Sequence, residues 1–353
     1  MHYVNPICKS IFRVKQPENR SGFIRLDQNE NPDGVPSWLF EKAINRITPQ
    51  FLSIYPEESN FLKKYAQLLG VNATNVTLTD GSVVGMGYIF KVFGEKGKKL
   101  VCASPTFGMY KAYADMQEMD TIFVQYKKDF TFDIDDILKA IDRSTGIVSL
   151  VNPNMPIGNV YCRMDIIRVL EKAKLFNALV VVDEAYYYFN EETVVDLISK
   201  YSNLVVLRTF SKLFSIPGLR LGCIISSDSN IRYINNYRPH YTVNSVALVF
   251  GEVILEHHDR LVSELRNKYL NGKDYLEKIL LESGYKFLPT SGCFICIYPK
   301  YKSAEQITEE LKQRGLLIFC GKGDSKGLLR VTIWDKSYMK QFVSLLLQID
   351  RAE

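Results

Sequence analysis

LVVLRTFSKLFSIPGLRLG, residues 204–222, is the stretch around which the rest of the chain can be interpreted. It opens with the apolar run Leu204 to Leu207, which is typical of a buried strand. Lys212 follows among hydroxyl-bearing and apolar residues, where burial and a neighbouring cation lower the pKa of an amine. A lysine that loses its proton readily can attack a carbonyl group. Arg220 could supply that cation, and its planar guanidinium suits a phosphate.

A second apolar run, residues 178–182, ends in the motif DEAY at residues 183–186. A carboxylate at the carboxyl end of a buried parallel strand points into the crevice where open α/β sheets bind ligands. Asp183, Lys212 and Arg220 thus offer an anion, an amine and a phosphate donor. Pyridoxal 5'-phosphate (PLP) needs one of each, for its ring nitrogen, its aldehyde and its phosphate.

DEAY at residues 183–186, followed by RTFSKLFSIPGLRLG at residues 208–222, resembles the fold-type-I PLP enzymes. Within them the chain is most similar to the histidinol-phosphate aminotransferase branch of the class I/II aminotransferases, from about Ile24 to its C terminus. The resemblance implies an α/β fold with a mainly parallel seven-stranded sheet in a large domain, plus a smaller α+β domain. It also implies a biosynthetic aminotransferase that holds PLP as an aldimine on Lys212.

The alternation of strands and helices indicates how the chain is divided. Alternation between residues 76 and 226 predicts a mostly parallel sheet covered on both faces. Long helical patterns and two strands after residue 229 predict a smaller α+β lobe. We expect an N-terminal arm at 1–21, part of the small domain at 22–45, the large PLP-binding domain at 46–240 and the small C-terminal domain at 241–353.

Composition narrows the class of protein. The 353 residues carry a net charge of +5 that is spread along the chain, and no nucleic-acid-binding module is visible. No apolar run approaches the roughly 20 residues that a membrane span needs. Cys293 and Cys296 form a CxxC without a second pair or a histidine cluster, so we expect no metal site. Free thiols and the lack of a signal peptide predict a cytoplasmic protein.

The resemblance assigns residues to the cofactor. It implies that Lys212, Asp183 and Tyr186 are catalytic and that Tyr186 bonds to the phenolic oxygen of PLP. It also implies that Phe107 in PTFGMY stacks on the ring of PLP. Gly81 begins a turn into an apolar helix, whose free N–H groups and dipole suit a phosphate. The residues implied to contact the phosphate are Ser82, Val83, Thr209, Ser211, Arg220 and, acting across the interface of a homodimer, Tyr55.

VNPNMPIGN at residues 151–159 departs from the family pattern NPNNPTG. Met155 occupies the position whose asparagine bonds the phenolic oxygen of the cofactor, and methionine has no donor. The oxygen would then depend on Tyr186, and the pKa of the aldimine should rise. Losing one donor to a charged group costs on the order of 1.5–3 kcal/mol, so the reaction would slow without being abolished.

Two residues are implied to bind substrate. Arg330 in LLRVTIW matches the arginine that holds the α-carboxylate, and Asn29 in LDQNENP matches the segment that approaches the substrate. Two departures count against histidinol phosphate. Phe319 occupies the position of an arginine for the substrate phosphate, and Cys293 occupies that of an asparagine.

Three functions remain open. The leading one is an aminotransferase that moves an amino group between an amino acid and an oxo compound, phosphorylated or not. A PLP-dependent phospho-amino-acid decarboxylase would use the same side chains and break a different bond. A non-catalytic PLP-binding homologue is the third, and Met155 is its only support. The sequence does not identify the amino acceptor.

Overall fold

The computed structural model describes residues 2, 4, 6–10 and 18–352. The arm predicted at residues 1–21 therefore lies partly outside the described residues. Its described part includes the short helix α1 (Pro6–Ser10). No helix in the described ranges is both long and apolar enough to cross a membrane.

The strands and helices occur along the whole of the continuous range 18–352. The strands are β1 (Ile24–Leu26), β2 (Val76–Asp80), β3 (Lys99–Ser104), β4 (Asp120–Gln125), β5 (Thr145–Val151), β6 (Leu179–Asp183), β7 (Leu204–Thr209), β8 (Leu221–Ser226), β9 (Phe287–Leu288), β10 (Phe294–Ile297), β11 (Leu316–Cys320) and β12 (Leu329–Thr332). The helices after α1 are α2 (Ser37–Ile44), α3 (Ser59–Leu69), α4 (Ser82–Phe93), α5 (Met109–Met116), α6 (Ile134–Ala140), α7 (Arg163–Lys174), α8 (Tyr187–Asn190), α9 (Asp228–Tyr237), α10 (Ser245–Glu256), α11 (His258–Glu282), α12 (Ala304–Gln313) and α13 (Lys336–Ile349).

The larger sheet has seven strands in the order β2-β8-β7-β6-β5-β3-β4. The pairs β3–β4, β3–β5, β5–β6 and β6–β7 are parallel, and β8 is antiparallel to both β7 and β2. The α/β class and the mainly parallel seven-stranded sheet are therefore confirmed. Parallel strands need crossover helices, which cover both faces of such a sheet.

The centre of this sheet is buried on both faces. In β6, Val180 and Val182 belong to one buried apolar cluster, whereas Val181 belongs to a second cluster on the opposite face. Successive side chains of a strand point to opposite faces, so a strand between two apolar layers must be apolar throughout. That is why residues 178–182 and 204–207 appear in the sequence as unbroken apolar runs.

A second sheet of five strands has the order β1-β11-β12-β10-β9. Its first strand comes from near the N terminus and pairs in parallel with β11, with Ile24 opposite Leu316. The other four strands come from the C-terminal part of the chain, beyond residue 286. The domain boundaries at 21, 45 and 240 stay a prediction.

Candidate active site

A cavity lies beyond the carboxyl ends of β5, β6 and β7. This is where a doubly wound parallel sheet binds ligands, since the loops that leave its central strands diverge there. The cavity brings together most of the residues that the sequence singles out. They are Ser82, Val83, Phe107, Met155, Asp183, Tyr186, Thr209, Ser211, Lys212 and Arg220.

Asp183 is the last residue of β6 and is 4 % exposed. One of its oxygens accepts the backbone N–H of Ala185 at 3.1 Å, and the other accepts the hydroxyl of Tyr110 at 3.1 Å. Burial raises the pKa of the carboxyl to about 6, while the two donors and Lys212 oppose that rise. A cationic partner in the cavity would therefore favour the ionised carboxylate of Asp183, and an apolar one would favour the neutral acid.

Lys212 lies in the turn after β7 and borders the cavity. Its Nζ donates to the carbonyl oxygen of Gln28 at 3.2 Å, and it lies 5.7 Å from the centre of the Tyr186 ring. Burial lowers the pKa of the amine, and the charges of Arg330 and Arg220 act in the same direction. An amine in this position can exist unprotonated, as a nucleophile or a proton acceptor requires.

The first turn of α4 and Arg220 form an anion-binding corner. A Cβ at Gly81 would lie 2.1 Å from Nη2 of Arg220, and a Cβ at Gly222 would lie 2.5 Å from the backbone N of Ser82. Only glycine therefore allows the guanidinium and the next strand to approach this turn so closely. The free N–H groups of a helix start and a guanidinium are together a fitting site for a phosphate.

Two hydroxyl groups complete this corner. The hydroxyl of Thr209 donates to Oγ of Ser211 at 2.9 Å, and the backbone N–H of Ser211 donates to Oγ1 of Thr209 at 3.1 Å. Both residues line the cavity together with Arg220. The donor set of hydroxyls, backbone N–H groups and a guanidinium matches the phosphate of PLP.

Asn29 lies against Tyr186 and is not part of the cavity lining. Its side-chain amide donates to the hydroxyl of Tyr186 at 2.7 Å, and its backbone N–H donates to Oγ1 of Thr332 at 3.0 Å. Burial raises the pKa of Tyr186, and the bond from Asn29 works against that shift. Because the tyrosine oxygen already accepts from Asn29, its own proton is available to a ligand in the cavity.

Arg330 is 8 % exposed and belongs to β12. Its guanidinium donates to Sδ of Met155 at 2.9 Å and to the carbonyl oxygen of Asp27 at 2.9 Å. The same group lies 4.3 Å from the centre of the Phe319 ring, and its Nε has no hydrogen-bond partner in the described structure. None of the ion pairs within the described ranges includes Arg330, so this buried cation can take an anionic ligand.

Tyr55 is the one predicted cofactor residue that lies away from the cavity. It is 72 % exposed and stacks on Tyr241 with ring centres 4.5 Å apart. Leu52 and Ile54 beside it are also more than half exposed. Within a single chain, Tyr55 is therefore not assembled with Lys212 and Asp183.

Cys293 and Cys296 are both buried but belong to different apolar clusters. Burial raises the pKa of each thiol to about 12, which keeps both protonated. The structure describes all seven cysteines, and each is free. Cys293 is close enough to Lys212 for each to affect the pKa of the other, and it lies on the Arg330 side of the site.

Sequence reasoning missed two supporting contacts. Tyr110 reaches Asp183 from α5, and the motif PTFGMY was its only signal. Glu184 and Arg208 form a buried ion pair, with Nη2 and Oε2 2.8 Å apart. These two residues adjoin Asp183 and Thr209 in the sequence, so the pair links the ends of β6 and β7.

Comparison with known proteins gives consistent matches over nearly the full length. Residues 21–346 match the family described as aminotransferase class I and II. A histidinol-phosphate aminotransferase of Thermoanaerobacter pseudethanolicus is 31 % identical over 315 residues, covering 88 % of each chain. Histidinol-phosphate aminotransferase 1 of Carboxydothermus hydrogenoformans is 32 % identical over 337 residues, covering 95 % of each chain.

Solved structures agree in fold. The histidinol-phosphate aminotransferase of Sinorhizobium meliloti in complex with pyridoxal-5'-phosphate superposes with a TM-score of 0.87 and 21 % identity, covering 99 % of this chain and 98 % of that one. The L-threonine-O-3-phosphate decarboxylase of Porphyromonas gingivalis gives a TM-score of 0.78 and 22 % identity, covering 92 % and 98 % respectively. At these identities the two structures support the fold alone.

Proposed function

The chain belongs to the class I and II aminotransferases and is a PLP-dependent transaminase, and on that basis we propose the part that each residue plays in it. The observation that carries the assignment is one cavity with Asp183, Lys212 and Arg220 around it. These three groups offer a carboxylate, an amine of lowered pKa and a phosphate donor. When bound, PLP supplies an electron sink for a carbanion at the substrate α carbon.

The cofactor phosphate would lie in the corner made by the start of α4, Thr209, Ser211 and Arg220. Ser82 and Val83 would contribute backbone N–H groups, because they open that helix and line the cavity. Phe107 would cover one face of the ring, since it borders the same cavity. Met155 and Tyr186 would adjoin the phenolic oxygen, and only Tyr186 can donate to it.

Lys212 would carry the proton transfers. Its unprotonated amine would take the proton from the substrate α carbon and return it to the aldehyde carbon of the cofactor, two atoms away, because a single base within reach of both carbons can serve both steps. Asp183 holds a proton at the ring nitrogen, and that requires the carboxyl to stay ionised. The closed apolar layers around β6 and β7 exclude water from these charges.

Borohydride reduction tests the central role of Lys212. Reduction of the protein with PLP should leave a pyridoxyl mass on the peptide containing Lys212, and Lys212→Ala should remove it. Amino transfer in the variant should fall by about 10²–10⁴-fold or more, the range of a lost acid–base group. Lys200→Ala, which alters an exposed lysine, is the matched control. A pyridoxyl mass on another lysine would refute the assignment.

We propose that Arg330 binds the anionic group of both substrates in turn. Among the residues that the structure describes, no carboxylate forms an ion pair with its buried guanidinium, and a substrate carboxylate or phosphate would supply the missing charge. The named relatives are histidinol-phosphate aminotransferases, which favours a phosphorylated oxo compound as amino acceptor. Phe319 and Cys293 are departures from that branch, and they count against histidinol phosphate itself as the substrate.

A substrate comparison tests this proposal. Histidinol phosphate, histidinol and glutamate would each be added to the PLP-loaded protein, and the cofactor absorbance followed through a single turnover. Faster change with the phosphorylated compound than with histidinol supports an anion at Arg330. Equal rates for both would contradict it. Release of carbon dioxide from a phospho-amino acid without amino transfer would instead support the decarboxylase.

We propose a homodimer in which Tyr55 reaches the phosphate site of the other subunit. The exposure of Tyr55, Leu52 and Ile54 supports a covered surface in the assembly. Sedimentation showing an active monomer would overturn this proposal.

We also retain the boundaries 22–45, 46–240 and 241–353, since β2 to β8 fall inside the second range and β9 to β12 inside the third. A cytoplasmic location is our further proposal, supported by the free cysteines. Fractionation of cells that express the chain tests it.

A further inference from the structure

We propose that Tyr110 is a positioning residue, which orients the Asp183 carboxylate and favours its ionised form through the hydrogen bond that its hydroxyl donates. The inference rests on the proposed role of Asp183 as the partner of the PLP ring nitrogen. It adds a group outside the cavity lining to that role.

The contact is built into the core. Tyr110 is 0 % exposed, and its hydroxyl donates to Oδ2 of Asp183 at 3.1 Å. The other carboxylate oxygen accepts the N–H of Ala185. A buried tyrosine hydroxyl needs a partner, and a carboxylate accepts the stronger, charge-assisted bond. Each oxygen of Asp183 thus has its own donor, which defines the plane of the carboxylate.

The contacts around Tyr110 keep its hydroxyl in place. Its backbone N–H donates to the carbonyl oxygen of Phe107 at 3.2 Å, in the turn that opens α5. Its ring packs against Phe90, with ring centres 6.2 Å apart in an edge arrangement. Phe107 borders the cavity. One short turn therefore carries both the side chain expected on the face of the cofactor ring and the donor to its acidic partner.

The charges around Asp183 decide the sign of the effect. Burial raises the pKa of Asp183 to about 6, the charge of Glu184 raises it further, and Tyr110, Ala185 N–H and Lys212 lower it. Tyr186 also interacts electrostatically with this carboxyl. A carboxyl with a raised pKa is ionised above that value and neutral below it. Removing the Tyr110 hydroxyl raises the pKa again, so the neutral form extends to higher pH.

The test is the affinity for PLP as a function of pH. We expect Tyr110→Phe to shift the midpoint of binding upward by about one pH unit or more, since the variant loses a charge-assisted hydrogen bond to the ionised carboxylate. Near pH 6 its dissociation constant should be about tenfold higher than in the parent, and near pH 8.5 the two should converge. Equilibrium dialysis of the apoprotein with PLP measures this without any assay of activity.

Tyr65→Phe is the matched control. Tyr65 is 1 % exposed, and its hydroxyl faces Sγ of Cys223 at 3.8 Å, away from the cavity lining. Its pH profile should match the parent. Thermal unfolding of the apoproteins shows whether either variant is merely destabilised. A loss of affinity in Tyr110→Phe that is equal at every pH would overturn the inference, as would an unchanged profile.

A second variant changes the hydroxyl without removing it. Replacing Tyr110 by 3-fluorotyrosine makes a stronger donor, so the binding midpoint should move downward. An upward shift or none would contradict the inference, even if Tyr110→Phe does not fold. Asp183→Asn separates the two proposals, because it should weaken PLP binding most at pH values well above 6, where the parent carboxyl is ionised. If Asp183→Asn binds PLP with the affinity of the parent, the proposed role of Asp183 fails. If Asp183→Asn binds PLP weakly while the Tyr110 variants bind it as the parent does, the role of Asp183 stands and only the inference about Tyr110 fails.

Discussion

Lys212 and Arg330 are two buried bases whose chemistry diverges. Burial lowers the pKa of both. A lysine can lose its proton within the working range of an enzyme, whereas an arginine stays charged. The same apolar surroundings therefore make Lys212 a proton acceptor and leave Arg330 a fixed cation.

Replacing Arg330 should affect substrate binding more than cofactor binding. We expect Arg330→Met to raise KM for the amino donor by about 10–100-fold, because charge-assisted hydrogen bonds to a carboxylate are lost. The KM of Arg330→Lys should lie between those of Arg330→Met and the parent, since lysine keeps the positive charge but lacks the planar guanidinium. Steady-state kinetics measure this, with the exposed Arg314→Met as a control. Unchanged KM in Arg330→Met would exclude the carboxylate role.

Met155→Asn should restore a donor beside the phenolic oxygen of PLP. We expect the pH midpoint of the cofactor absorbance to fall by about one unit, because the added bond favours the ionised oxygen. Met155→Leu lacks any donor and should titrate as the parent does. A spectrophotometric titration compares the three proteins. If Asn at this position leaves the midpoint where Met and Leu have it, Met155 does not adjoin that oxygen.

The ion pair between Glu184 and Arg208 connects the ends of two neighbouring strands, β6 and β7. Both side chains are at most 4 % exposed, and Nε of Arg208 donates to Glu184 at 2.9 Å. The hydroxyl of Thr193 and the N–H of Val194 also donate to Glu184. A buried charge pair costs desolvation on both sides, so its contribution depends on keeping every partner. The pair aligns the two strand ends that carry Asp183 and Thr209.

Breaking this pair should be costly for stability. We expect Glu184→Gln to lower the free energy of unfolding by about 3–5 kcal/mol, since it leaves Arg208 buried without its counter-ion. Chemical denaturation of the apoprotein measures it. Asp196→Asn breaks the more exposed pair with Arg163 and should cost less than about 1 kcal/mol. Similar losses in the two variants would contradict the argument.

Across the complete fold, the site is assembled from both sheets. The seven-stranded sheet contributes Asp183 and, in the turn after β7, Lys212, whereas β12 of the five-stranded sheet contributes Arg330. The segment after β1 joins them, because Asn29 bonds Tyr186 and Asp27 accepts from Arg330. A substrate anion on Arg330 would thus lie where groups positioned by both sheets meet.

A mixed dimer tests the expected contribution of Tyr55 from a second subunit. Tyr55→Ala and Lys212→Ala homodimers should each be impaired, while a hybrid of the two should recover about half of the activity per dimer. In the hybrid, one site combines an intact Lys212 with Tyr55 from the other chain. Differently tagged subunits allow the hybrid to be purified and assayed. No recovery would mean that Tyr55 acts within its own subunit, and a fully active Tyr55→Ala homodimer would mean that Tyr55 has no role.

The local pattern was enough to predict the central strands and to indicate which reactive groups follow them. Apolar runs before Asp183 and Thr209 mark strands buried on two faces, and Gly81 before an apolar helix marks the anion-binding corner. Resemblance to the family supplied the cofactor, and the family match confirmed the aminotransferase assignment. Each of these signals lies within a single short motif of the sequence.

Pairings over long distances along the chain were not predictable. Tyr110 and Asp183 are 73 residues apart, and Asn29 and Tyr186 are 157 apart. Neither pair was predicted, because a hydroxyl or an amide carries no mark of its partner, and only the tertiary fold brings the two residues of each pair together. Motifs and strand periodicity are local properties of the chain, so they define the reactive groups. Which donors face those groups follows from packing, because a buried polar atom must bond to whatever the folded core places beside it.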